Sequence, residues 1–152
     1  MPVALALHLL SVILWVGGMA FAYLIVRPAA AALAPLDRMQ LWRGIFARFL
    51  PLVGALVLVI LASGYWMVLG PWGGLRGAPP YLHLMQAVGW VMVGIYLWLL
   101  MVPWPRFRDA VAEADLAAAA RHLAAIRRLV AANTALGLLN AVVGAGGRFL
   151  VL

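Results

Sequence analysis

Leu7-His8-Leu9 opens an apolar stretch that runs to Trp15, and Leu82-His83-Leu84 opens a second one that runs to Trp90. His83 follows His8 by 75 residues, and Trp90 follows Trp15 by the same 75. In each copy the Trp comes seven residues after the His, close to two helical turns, so both side chains share one helix face, about 10 Å apart along the axis. An ionisable side chain at membrane depth costs free energy, so the two imidazoles indicate function.

The composition around these stretches predicts an all-α integral membrane protein. Of the 152 residues, 68% are hydrophobic and 10% are charged, far outside the soluble range. A span needs about 20 apolar residues, and four fit, at about residues 3–26, 48–69, 81–102 and 129–150. Because no basic residue precedes the first span, we expect it to stay in the membrane and not to be a signal peptide. Residues 1–152 are therefore predicted to form one four-helix bundle.

A second echo links the even-numbered spans. The stretch from Arg128 to Gly144 aligns with the stretch from Arg48 to Gly64 at an offset of 80 residues. Together with the first echo, this suggests two duplicated helical hairpins. A repeat of two spans preserves orientation, so the symmetry axis would lie along the membrane normal.

The charge pattern predicts the topology. The net charge is +7 and all eleven basic residues are Arg. Nine of them flank the first and third connections, so by the positive-inside rule both termini are periplasmic and no nucleic-acid partner is implied. Amphipathic segments on the cytoplasmic face are expected at about residues 37–46, with Met39, Trp42 and Phe46 on one side, and 108–128. His122, in the second segment, is interpreted as an ordinary surface histidine.

The residues favour a metal site over acid–base chemistry. All four acidic residues lie outside the spans, so neither His8 nor His83 has a carboxylate to orient it for catalysis. Neutral imidazole is a common metal ligand. We expect His8 and His83 to converge in the outer leaflet, with Met85 as a further ligand and Trp15 and Trp90 lining the site. The alternative is that each imidazole only bonds a backbone carbonyl.

Two cofactors fit these residues. Copper, particularly Cu(I), suits His with Met in a chain that has no Cys. Haem iron suits two axial ligands from facing helices, with Trp and Gly lining the macrocycle. The sequence leaves both open. Gln86 and Ser11, one turn below the two histidines, are the expected outer-shell partners.

The pattern resembles copper resistance protein D domains. The resemblance lies in Leu7-His8-Leu9 with Trp15-Val16-Gly17-Gly18, in Arg48-Phe49, in Tyr81 to Gln86, and in the closing Gly144 to Arg148. It covers most of the chain and is to the short, stand-alone members. The resemblance implies copper uptake or delivery across the bacterial inner membrane, with the metal bound from the periplasmic side.

A second resemblance is to the four-helix membrane protoporphyrinogen oxidases, which bind haem b. His8 matches their first-span His, and His83 matches the His of their third-span His-x-Lys pattern. Met85 stands where that Lys is needed, and the chain has no Lys, so that enzyme activity is not expected. Haem held by His8 with His83 or Met85 stays an alternative. A third interpretation is a helper subunit of a larger membrane complex or a homodimer, with exposed Trp42, Trp98 and Trp104 as anchors.

Overall fold

The computed structural model describes residues 1–70 and 72–149, the side chain of Arg148 excepted. Six α-helices are found in this part of the chain: α1 Pro2–Phe21, α2 Arg27–Ala29, α3 Pro35–Leu69, α4 Pro80–Met101, α5 Pro103–Ala112 and α6 Leu116–Gly146. A π-helical segment, Ala22–Val26, joins α1 to α2, and short 3₁₀ turns lie at Ala30–Ala32, Leu75–Gly77 and Gly147–Phe149. The described residues contain no strand.

Four of the helical segments are long and apolar enough to cross a membrane. They are Pro2–Ala32, Pro35–Leu69, Pro80–Ala112 and Leu116–Gly146, of 31 to 35 residues each. A bilayer core needs only about 20 helical residues, so each segment continues beyond it. The predicted all-α, four-span membrane fold is confirmed. The predicted end of the fourth span, at residue 150, lies outside the described residues.

Local sequence sets where the helices begin. Four of them have Pro at the first position, Pro2, Pro35, Pro80 and Pro103. Proline suits that position because its φ is already helical and the N–H it lacks would have no partner there. The last long helix begins differently: the Asp115 carboxylate accepts a hydrogen bond from the backbone N–H of Ala118 at 2.9 Å. That is a helix N-cap.

The two predicted cytoplasmic segments belong to longer helices. Residues 37–46 are the first turns of α3, which continues without a break past Pro51 to Leu69. Residues 108–128 are divided between α5 and α6 by a break at residues 113–115, where Ala114 has a φ of 56°. The predicted apolar side of the first segment is correct, since Met39, Trp42 and Phe46 are all buried.

That burial overturns one expectation. Trp42 is only 3% exposed, so it is not the surface anchor that the helper-subunit interpretation requires. Its ring stacks on Phe46 at 5.3 Å, and Phe46 meets Trp104 and Phe107 edge to face at 6.1 Å. The helix α5 covers this aromatic cluster. Trp104 is also not fully exposed, since it is half-buried in the same cluster, whereas Trp98 is 57% exposed.

The helices pair as α1 with α3 and α4 with α6, and α1 also packs against α6. Small residues make the close contacts, because a Cβ added at Gly18 would lie 2.6 Å from the Phe49 ring. Two amides fix α6 against α4: Asn133 donates to the Met92 carbonyl at 3.4 Å and Asn140 to the Met85 carbonyl at 3.2 Å. From the first bond to the second, the position moves seven residues forward on α6 and seven residues back on α4, as expected for two antiparallel helices.

Candidate metal site

The His8 imidazole lies against α3. Its Nδ1 is 3.1 Å from the Ile60 carbonyl oxygen and 3.1 Å from Oγ of Ser63, and the ring edge contacts Gly64. A carbonyl oxygen only accepts hydrogen bonds, so Nδ1 carries the proton and donates it. Nε2 is then the basic nitrogen, and no hydrogen bond to it is found within the described residues. The hydrogen bond from Nδ1 to Ile60 is what the alternative interpretation of His8, a histidine that only bonds a backbone carbonyl, expects. It also gives the tautomer of a metal-ligating histidine, whose other nitrogen donates to a backbone carbonyl or similar acceptor.

Ser63 supports this arrangement from α3. Its hydroxyl donates back to the carbonyls of Val59 and Ile60, one turn earlier on the same helix. The hydroxyl is thereby oriented with its oxygen toward His8, as a second acceptor. Sequence analysis missed Ser63 and the Ile60 carbonyl. The available signal was a lone hydroxyl residue inside the apolar run of the second span.

His83 lies in the first turns of α4 and is exposed. Among the described residues no hydrogen bond joins it to another side chain or links it to His8, so the convergence of the two imidazoles stays a prediction. On an ideal helix Gln86 and Trp90, three and seven residues on, share its face. Both turn to α3: Gln86 Nε2 donates to the Tyr65 hydroxyl at 2.6 Å, and Trp90 Nε1 donates to it at 3.2 Å.

Tyr65 is a further residue that the sequence analysis did not single out. A signal was present. Residues 65 and 86 lie nearly equally far from the middle of the connection between α3 and α4, and antiparallel helices bring such residues together. Tyr65 links α4 to the stretch of α3 that holds His8. Ser63 and Tyr65 point about 200° apart on an ideal helix, so the two groups approach α3 from different sides.

Met85 lies on the other side of α4 from His83. Its Sδ is 3.3 Å from the position that a Cβ on Gly144 would occupy, so the thioether packs at the interface with α6. This agrees with the helical geometry, in which residues two apart point about 200° apart. Within the described residues, no three His, Cys, Asp or Glu side chains form a group that could hold a metal ion.

The two tryptophans of the sequence echo have different surroundings. Trp15 is 4% exposed and meets the Tyr96 ring edge to face, with centroids 6.5 Å apart. Trp90 is 49% exposed and bonds Tyr65. A cavity of about 330 Å³ lies beside Trp15 in the bundle centre, with Met19, Phe49 and Asn133 in its walls. Neither His8 nor His83 lines this cavity.

Comparison with known proteins gives one family. The family model described as copper resistance protein D matches residues 43–146, more than half of the chain. No curated protein and no solved structure matches the chain. The match includes α4, with His83, and the part of α3 that bonds His8.

Proposed function

This chain belongs to the copper resistance protein D family, and from that premise we propose that it binds copper as cargo through His8 and His83 at the periplasmic end of its membrane bundle. The ion is then handed on, for uptake or delivery across the bacterial inner membrane. The Arg distribution supports the orientation, because nine of the eleven Arg flank the two connections at the opposite end from His8.

The observation that carries the proposal is the hydrogen bond from His8 Nδ1 to the Ile60 carbonyl at 3.1 Å. It leaves Nε2 as the donor atom for a soft or borderline metal ion and holds the ring in one orientation. A chain without Cys, offering imidazole and thioether donors, suits Cu(I) best among the common metals.

His83 is the proposed second ligand because its ring is exposed and makes no hydrogen bond within the described residues. Two imidazoles in linear coordination satisfy Cu(I), and binding one ion through both requires the exposed His83 ring to move toward His8, because the two groups approach α3 from different sides. Met85 is the weaker candidate, because its thioether packs against Gly144. Haem would need the same Nε2, but neither histidine lines the cavity beside Trp15. Copper is therefore the proposed ion, and haem binding is the alternative result that the test can reveal.

The test is a Cu(I) competition titration of the purified full chain in detergent against a chromogenic chelator. The variants are His8→Ala and His83→Ala, and His122→Ala is the matched control, a third histidine that lies on α6 toward the Arg-rich end. Losing a ligand should weaken Cu(I) binding about tenfold or more, since even outer-shell changes cost about 10–100-fold. The control should bind as the unaltered chain does.

Two results would overturn the proposal. Cu(I) affinity that is the same in all three variants would remove both histidines from the site. A Soret band in the purified protein that His8→Ala abolishes would replace copper with haem as the bound group.

A further inference from the structure

Three arginines from three different helices line one cavity, at the end of the bundle away from His8. Arg27 begins α2, Arg38 lies in the first turns of α3, and Arg127 lies in α6. The volume between them, here called the arginine cavity, is about 310 Å³. Its remaining walls are the small or apolar side chains Ala31, Met39, Ala120 and Leu123.

Within the described residues no carboxylate forms an ion pair with any of these three arginines. Within residues 1–70 and 72–149 one ion pair is found, between Arg108 and Asp109, and both of its side chains are more than half exposed. The three cations are therefore close to one another without a counter-ion from the protein. Like charges that share a partly desolvated site repel one another, so the ligand-free cavity is electrostatically unfavourable.

Aromatic faces position two of the three guanidinium groups. Arg27 lies 5.0 Å from the Tyr23 ring centroid, and Arg127 lies 5.8 Å from that of Trp42. Two buried donors in this contact, Nε of Arg127 and Nε1 of Trp42, have no hydrogen-bond partner among the residues that the structure describes. A buried donor without an acceptor is costly. Arg127 lines the cavity, so its unpaired Nε and the three positive charges both favour an oxyanion as the ligand.

We propose that the arginine cavity binds the phosphate of an anionic phospholipid headgroup. Arginine forks match phosphate oxygens in geometry and charge, and basic pockets between membrane helices on the cytoplasmic side are suited to lipid headgroups. A lipid is favoured over a soluble phosphate by position. Leu24 and Ile25, just before Arg27 in the chain, are 65% and 56% exposed, so an apolar surface for the acyl chains adjoins the cavity.

The test measures lipid binding by native mass spectrometry and by the shift in unfolding temperature of the full chain in neutral detergent. The probes are phosphatidylglycerol, phosphatidylcholine and inorganic phosphate. Phosphatidylglycerol should bind and raise the unfolding temperature, and the other two should not. Arg127→Gln and Arg38→Gln should each weaken phosphatidylglycerol binding about tenfold, as expected for a lost charge-assisted hydrogen bond in a partly buried site.

Arg121→Gln is the matched control, because it removes one charge from an exposed position that lies outside the cavity but on α6, the helix of Arg127. It should retain phosphatidylglycerol binding. Without lipid, the unfolding temperature of Arg38→Gln should be no lower than that of the unaltered chain, because the variant relieves repulsion among the three arginines and leaves the Arg127–Trp42 contact in place. Equal binding of phosphatidylcholine, equal protection by inorganic phosphate, or an equal loss in Arg121→Gln would overturn the proposal.

Discussion

Gly54 and Tyr96 offer a sharp test of how α4 is held against α3. The Tyr96 hydroxyl is buried and donates to the Leu50 carbonyl at 3.0 Å. A Cβ added at Gly54, one turn further along α3, would lie 2.9 Å from that hydroxyl oxygen. Gly54→Ala should therefore displace the hydroxyl and break its hydrogen bond, whereas the backbone of α3 keeps its own bonds.

The sizes of the effects follow from what each variant leaves behind. Tyr96→Phe removes the donor and its bond together and should lower the free energy of unfolding by about 0.5–1.5 kcal/mol. Gly54→Ala leaves a buried hydroxyl without a partner and should cost about 1–3 kcal/mol. In the double variant no hydroxyl remains to be displaced, so Gly54→Ala should add little to the loss from Tyr96→Phe. The expected coupling is about 1–3 kcal/mol, the size of the loss from Gly54→Ala alone.

The assay is reversible unfolding of the purified protein in mixed micelles with increasing SDS, followed by circular dichroism, for both single variants and the double variant. Losses that simply add in the double variant would show that Gly54 is not required for the Tyr96 hydrogen bond. A stable Gly54→Ala protein would refute the close approach itself.

Three further predictions use other contacts. Gly137→Ala should lower the free energy of unfolding by about 1–3 kcal/mol through overpacking, because its Cβ would lie 2.7 Å from Val16 and 3.1 Å from Met92; Gly17→Ala, in the same assay, meets nothing within 4 Å and should be neutral or stabilising. Gly64→Ala should weaken Cu(I) binding in the chelator titration, because its Cβ would press on His8 at 3.3 Å, whereas Gly144→Ala meets Met85 instead and should leave Cu(I) binding unchanged. Reporter fusions after residues 35 and 115 should read cytoplasmic and a fusion after residue 75 periplasmic; the reverse pattern would move the His8 end to the cytoplasm.

Hydropathy and helix signals carried the prediction of the fold because four apolar runs in a chain of 152 residues leave few arrangements. Helix ends were harder. Nothing between Phe46 and Arg48 breaks a helix, and Pro51 is accommodated within α3, so the surface segment and the span are one helix. An amphipathic pattern also does not reveal what meets its apolar side. For Trp42 the partner is the aromatic cluster covered by α5, not lipid or another subunit.

The candidate site shows the same limit at the level of single side chains. His8 and the two residues that bond it, Ile60 and Ser63, could be found only in part from spacing, because the Ile60 carbonyl is a backbone group that no side-chain pattern marks. Sequence periodicity gives the face of a helix on which a residue lies. It does not give the neighbouring helix that this face meets, which is settled by packing of the whole bundle.

The sequence echo and the packing contacts are out of register, and this difference sorts the two histidines into different roles. In the first hairpin Gly64 accommodates His8, whereas its sequence counterpart Gly144 accommodates Met85, two residues beyond the counterpart of His8. A two-residue shift turns a helix by about 200°, so α4 presents Met85 to α6 and leaves His83 on another face. His8 is thereby fixed by a hydrogen bond to its partner helix, and His83 stays exposed. Under the proposed copper-binding function, the fixed His8 ring and the exposed His83 ring would suit uptake and release of an ion, because an exposed ring can engage or leave without disturbing the bundle.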